Sequence, residues 1–176
     1  MNQLRFGQYI LRAPEPEDLD CMMQFENTPT MWEVGCASGP YSRFHLKQYI
    51  ETNRNDLYTD RQLRLMIESD KGEVVGIVDL FGFEPFHNRA EVGIVISEPY
   101  RGLGIARSAL QCLINHASNH LGIHQLVAYI EADNMPSRKL FSSCGFQEIV
   151  CLKDWIRHGT SYKDVILMQF LAPSSR

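Results

Sequence analysis

The chain has 176 residues, 44% hydrophobic and 22% charged, a mix that excludes disorder and can bury a core without metals or disulfides. The formal net charge is −4 with the basic residues scattered, so no nucleic-acid footprint is visible. Five cysteines, Cys21, Cys36, Cys112, Cys144 and Cys151, are odd in number and lack CxxC spacing, which argues against a disulfide framework or zinc ribbon and fits a reducing cytosol.

The first residues hold no apolar run of signal-peptide length, and no stretch approaches the roughly 18 apolar residues of a membrane span. A cytoplasmic protein with no membrane partner is expected. No repeat or linker interrupts residues 1–176, so a single domain is expected.

"GQYILRAP" reads as a short strand ended by Pro14. Pro16 then opens a helix, with Glu17 and Asp18 in its first turn and Leu19, Met22 and Met23 on one face. "TPTMWEVGCASGPYS" is a loop. Leu46, Ile50, Asn53 and Leu57 fall near one helical face, so a second helix is expected through the forties and fifties. The period then changes to two. Leu63, Leu65 and Ile67 alternate with Gln62, Arg64, Met66 and Glu68, a strand with one buried face. "VVGIVDLFGF" and "AEVGIVI" follow as apolar strands. Ala106, Ala109, Leu110, Leu113, Ile114, Ala117 and Leu121 make an amphipathic helix. "QLVAYI" is a strand and "PSRKLFSSC" a short helix, opened by Pro136 and stopped by Gly145. "FQEIVCLKDWI" and "YKDVILMQFL" bracket "RHGTS" as a hairpin. The order implies a mixed α/β sheet of about seven strands flanked by helices. Its glycine loop, "YRGLGIARSAL", lies at the carboxyl end of a central strand, where ligands of open α/β sheets tend to sit.

Gly102 and Gly104 bare the backbone just before a helix, whose unpaired N–H groups and partial positive charge favour phosphate. Arg101 adds a permanent charge. The GxxxxGK[ST] and GxGxxG fingerprints are both absent. An Arg-x-x-Gly-x-Ala cradle fits Arg101, Gly104 and Ala106, and on these residues alone a plain strand-to-helix turn competes with it.

In order and spacing, "AEVGIVI", "YRGLGIA", "QLVAYIEADN" and "NMPSRKLFSSCGF" resemble the GNAT superfamily of acetyl-CoA-dependent N-acetyltransferases. The resemblance covers roughly residues 60–171. "HNRAEVGIVISEPYRGLGIARSAL" and "WIRHGTSYKDVILMQF" are most similar to the spermidine and diamine acetyltransferases, a branch that overlaps with ribosomal-protein N-terminal acetyltransferases. The resemblance implies the GNAT fold and acetyl-CoA as co-substrate, with no metal. It implies that the amides of Arg101, Gly102, Leu103, Gly104, Ile105 and Ala106 cradle the CoA pyrophosphate. It also implies that the backbone of Ile94, Val95 and Ile96 pairs with the pantetheine arm and that Asn134 bonds it, with Ser137 nearby. A small-molecule amine is the expected partner, and a homo-oligomer is compatible with the family.

Glu91 matches the position where many family members keep a base for the amine; a solvated strand-end carboxylate is the competing reading. The N–H near Ile94 is a candidate for polarising the carbonyl. The tyrosine that often serves as acid for the CoA thiolate is here Phe141, and Ser142, Cys144, Tyr129 or water could replace it. Asp79 within "GIVDLF" is a candidate for gripping a cationic substrate, against a structural ion pair. Glu33, in the loop after the first helix, is the second candidate for substrate. The acidic pair expected before Pro-Tyr in the spermidine branch is here neutral Ser38-Gly39. His116, His120 and His87 read as surface or structural residues, and Trp32 and Trp155 as packing. The expected reaction moves acetyl to a primary amine, a polyamine such as spermidine being one acceptor. A peptide N-terminus is the alternative acceptor, and an acyl-CoA-binding module with little turnover the alternative class.

Overall fold

The computed structural model describes residues 4–28 and 39–173. Among them run β1 (Arg5–Phe6), β2 (Tyr9–Arg12), α1 (Leu19–Glu26), α2 (Arg43–Thr52), α3 (Leu57–Asp60), β3 (Leu63–Ser69) and β4 (Val74–Glu84). Then come β5 (Arg89–Ile96), α4 (Ile105–Asn119), β6 (Gln125–Glu131), α5 (Met135–Ser143), β7 (Gln147–His158) and β8 (Ser161–Leu171). The strands form one sheet in the order β1-β2-β3-β4-β5-β6-β8-β7. The pairing is antiparallel except between β5 and β6. The eighth strand, beyond the seven expected, is β1, a two-residue segment too short to carry a period.

Each face of the sheet has its own core. The larger one gathers Leu63, Leu65, Ile67, Val78, Leu80, Val92 and Leu126 under Leu110 and Leu113 of α4 and Phe141 of α5. Opposite it, Met66 and Ile77 pack with Met22 of α1 and Leu46 of α2. β3 is therefore buried on both faces rather than one: Met66, expected to face outward, is fully buried beneath α1 and α2.

The helix expected to run from Leu46 to Leu57 is two helices. Asn53 is already extended, at φ −71° and ψ 123°, and Asp56 accepts the N–H groups of Tyr58 and Thr59 to start α3 afresh. Short polar side chains here compete with the helical ladder, and the competition ends it. Leu57 consequently packs in the larger core and Leu46 in the smaller.

Candidate active site

The parallel ladder between β5 and β6 is short. Arg89, Ala90 and Glu91 pair with Gln125, Leu126 and Val127, and there it stops. β5 continues to Ile96 against β4, and β6 to Glu131 against β8, so beyond Glu91 the two strands part. Half the backbone groups along each parted edge point into the opening, where no sheet partner meets them. Ile96 and Ile94 turn their side chains into the larger core and Val95 into the smaller, so in this segment the backbone, not the side chain, is on offer.

Because β5 and β6 are parallel, the helices that follow them both begin at the open end. α4 starts from Gly104, which holds φ 79° and ψ 0°, a left-handed conformation that favours glycine. The N–H groups from Gly102 to Arg107 find no backbone carbonyl among the described residues, as expected for a loop entering a helix N-terminus. A Cβ built on Gly102 or Gly104 meets nothing within 4 Å, so the surface outside the loop is open. Arg101 donates Nε–H to the Ile96 carbonyl at 3.0 Å, tying the loop to the strand end. These residues fit a phosphate-bearing chain entering between the strands. At the other helix, Asn134 Oδ1 accepts the Ser137 N–H at 3.2 Å as the cap of α5, which leaves the Asn134 NH2 group to donate.

Glu91 stands at the apex of the opening, half-buried, and burial pushes its carboxyl above the ordinary range, with Arg89 opposing. Phe81 pairs with it across β4, next to a bulge where a Cβ on Gly82 would come within 3.4 Å of Glu91 Oε1. Asp79 lies one alternation further along β4, with both carboxylate oxygens on Arg64 at 2.9 Å. Arg64 also reaches Glu26 and lies over the Tyr49 ring at 5.6 Å. Burial works against the Arg64 charge, but Asp79 and Glu26 override it; burial also pushes the Tyr49 phenol up to about 12. The ion-pair alternative for Asp79 is thus the arrangement present. Glu33 and Trp32 lie outside the described residues.

Phe141 is buried in the larger core, edge-on to Phe146 at 5.0 Å. Cys144 is buried too, its thiol directed at the Arg107 carbonyl and its pKa raised by that burial, while Ser142 is exposed. Tyr129 alone among the substitute acids shares the face of Glu91, two residues beyond Val127 on β6. Its ring stacks on Trp155 of β7, which the sequence had suggested was mere packing. His116 of α4 and His120, which caps its C-terminus, stack at 4.9 Å, and burial holds His116 below the ordinary histidine range. Among the described residues no group of three or more His, Cys, Asp or Glu could hold a metal. Sequence reasoning missed Arg64 as the partner shared by Asp79 and Glu26, because the pairing joins α1, β3 and β4 and no local spacing signals it.

A mixed sheet that parts between two parallel strands, with two helix N-termini at its mouth, is the fold of the acyl-CoA N-acyltransferases. The acetyltransferase (GNAT) domain model matches residues 8–147, and the chain belongs to that family of N-acetyltransferases. Spermidine N(1)-acetyltransferase of Vibrio cholerae is 24% identical over 165 residues, 94% of each chain. Ribosomal-protein-serine acetyltransferase of Escherichia coli is 32% identical over 95 residues, 54% of this chain and 53% of the relative. The Vibrio cholerae spermidine N-acetyltransferase in complex with CoA and spermine superposes at a TM-score of 0.83 and 24% identity, covering 94% of this chain and 96% of that one. A dodecameric structure of the same enzyme superposes at 0.79 and 25%, covering 94% of each.

Proposed function

We propose that the protein transfers acetyl from acetyl-CoA to a small primary amine by direct attack, Glu91 taking the proton. The observation that carries this reading is the end of the β5–β6 ladder at Glu91 and Val127, which sets a carboxylate at the apex of the opening. The pyrophosphate lies on the amides from Arg101 to Ala106, and the pantetheine arm along Ile94, Val95 and Ile96 with Asn134 and Ser137 beside it. An aliphatic amine has a pKa of about 10 and reacts only once deprotonated, and a carboxylate with a raised pKa is the stronger base for that task. The backbone near Ile94 supplies an N–H toward the thioester carbonyl.

The relatives support a polyamine such as spermidine as the acceptor. The match to the ribosomal-protein-serine enzyme supports a peptide N-terminus as the second reading. Release of free CoA thiol, measured against polyamines, amino acids and short peptides, decides between them. Turnover on polyamines alone establishes the first, turnover on peptides alone the second. Tight CoA binding with no turnover on any amine establishes a binding module. A homo-oligomer is part of the proposal, supported by the dodecameric relative and by the exposed edge strand β7.

A further inference from the structure

The register between β7 and β8 breaks where Leu152 faces Val165 and Ile156 faces Lys163, so Lys153, Asp154 and Trp155 stand against Asp164 alone. Asp164 clamps this bulge. Its Oδ1 accepts the Asp154 N–H at 3.0 Å and its Oδ2 accepts Lys153 Nζ–H at 2.6 Å, while Asp154 is held at φ 50°. Few residues other than glycine adopt that left-handed region, aspartate being one of them. The bulge carries Trp155 across β8 to lie parallel to Tyr129 of β6, with ring centroids 6.2 Å apart and planes 5° apart. Trp155 joins neither core and stays 56% exposed, with Tyr129 and Phe81 at 38%. A clamped bulge therefore moves the largest side chain to a place where packing gains little.

What the turn does achieve is a wall. Phe81, Glu91 and Tyr129 share one face of the sheet in adjacent strands, and Trp155 extends the row. From the standard strand spacing and rise, Tyr129 stands roughly 8 Å from Glu91, or more as the strands part. Aromatic faces attract cations, and indole does so best. Resting on the transfer reading above, we propose that Trp155 is a specificity-determining residue of the acceptor side. Its indole, backed by Tyr129, receives the second, non-reacting ammonium of a diamine while the first amine lies at Glu91.

Diaminobutane and its isostere pentylamine differ only in that second cation, so they test the role directly. In Trp155→Ala, the KM for diaminobutane should rise about 10-fold with kcat within about threefold, and pentylamine should change less than about twofold. Trp155→Phe should restore most of the discrimination, with KM for acetyl-CoA and sedimentation mass unchanged. Equal changes for both amines, or none, overturn the assignment. If Trp155→Ala does not fold, Asp164→Asn loosens the bulge while keeping the indole, and the same selective rise in KM is expected.

Trp155 fluorescence in a Trp32→Phe background, with CoA bound, reads acceptor binding without turnover. A change with diaminobutane but not pentylamine supports the role even if no amine is acetylated, an outcome that would sink the transfer reading alone. No change with either amine overturns it.

Discussion

Glu91 sits at the last rung before the sheet opens, where burial raises its pKa and the ordered backbone of β5 fixes its approach. Replacing it with glutamine keeps shape and removes basicity. Glu91→Gln should lower kcat about 10- to 1000-fold at neutral pH, with the loss shrinking as pH nears the amine pKa. The sign on stability is opposite. A carboxyl whose folded pKa is raised binds protons more tightly in the folded state, so its ionisation weakens the fold as pH rises above the unfolded value of 4.5. Glu91→Gln should therefore raise Tm slightly at neutral pH and leave it unchanged well below pH 4.5, read by thermal melts across pH. A defect in kcat equal at all pH values, or a Tm that falls, would assign Glu91 to structure. Glu91 was singled out through the family resemblance, as the carboxylate opening an apolar strand where many members keep a base. The ion-pair partner of Asp79 was not legible, since Glu26 and Asp79 converge on Arg64 only through the fold.

At the scale of elements, β4 meets β5 at Gly76 with no room for a side chain: a Cβ would lie 2.5 Å from the Val95 carbonyl oxygen and 2.8 Å from Ile96 Cδ1. Neither side can retreat, because Val95 and Ile96 are packed on opposite faces of the sheet. Gly76→Ala should cost about 1–3 kcal/mol of stability, measured by urea unfolding. A neutral result would mean the strand pair shifts freely. The glycine loop is different: its glycines face open space, so a side chain there meets only the strain of their positive φ and, on the proposed reading, the bound CoA. CoA at about 100 times its Kd should stabilise the protein by about 2.7 kcal/mol, or roughly 5–10 °C in Tm for a domain of this size. Gly104→Glu should fold yet show no such shift; a retained shift would remove the loop from the CoA site. Long periodic elements, such as α4, announced themselves in the sequence. The break between α2 and α3 did not, because the apolar period carries across Asn53 to Asp56 while their side chains end the helix locally. The bulge that places Trp155 was equally hidden, since it depends on Asp164 across the hairpin.

Across the whole molecule, the sheet is well covered at its centre and bare at one margin. β7 ends the strand order, its outer edge has no strand partner among the described residues, and Ile149 and Val150 are exposed on it. A long edge strand with apolar side chains invites pairing, and proteins that keep such an edge single usually blunt it with charge, proline or a covering element. Lys153 is the cation within β7 nearest to such a role, but it is spent on Asp164. On the homo-oligomer proposed above, a second copy of the chain would cover this margin. Ile149→Lys puts a charge on the exposed edge, away from Glu91 and the glycine loop. The wild type should sediment as an oligomer, and Ile149→Lys should shift it toward monomer while CoA still raises Tm. A monomeric wild type, or an oligomer indifferent to this charge, would show that the margin is left bare for some other reason.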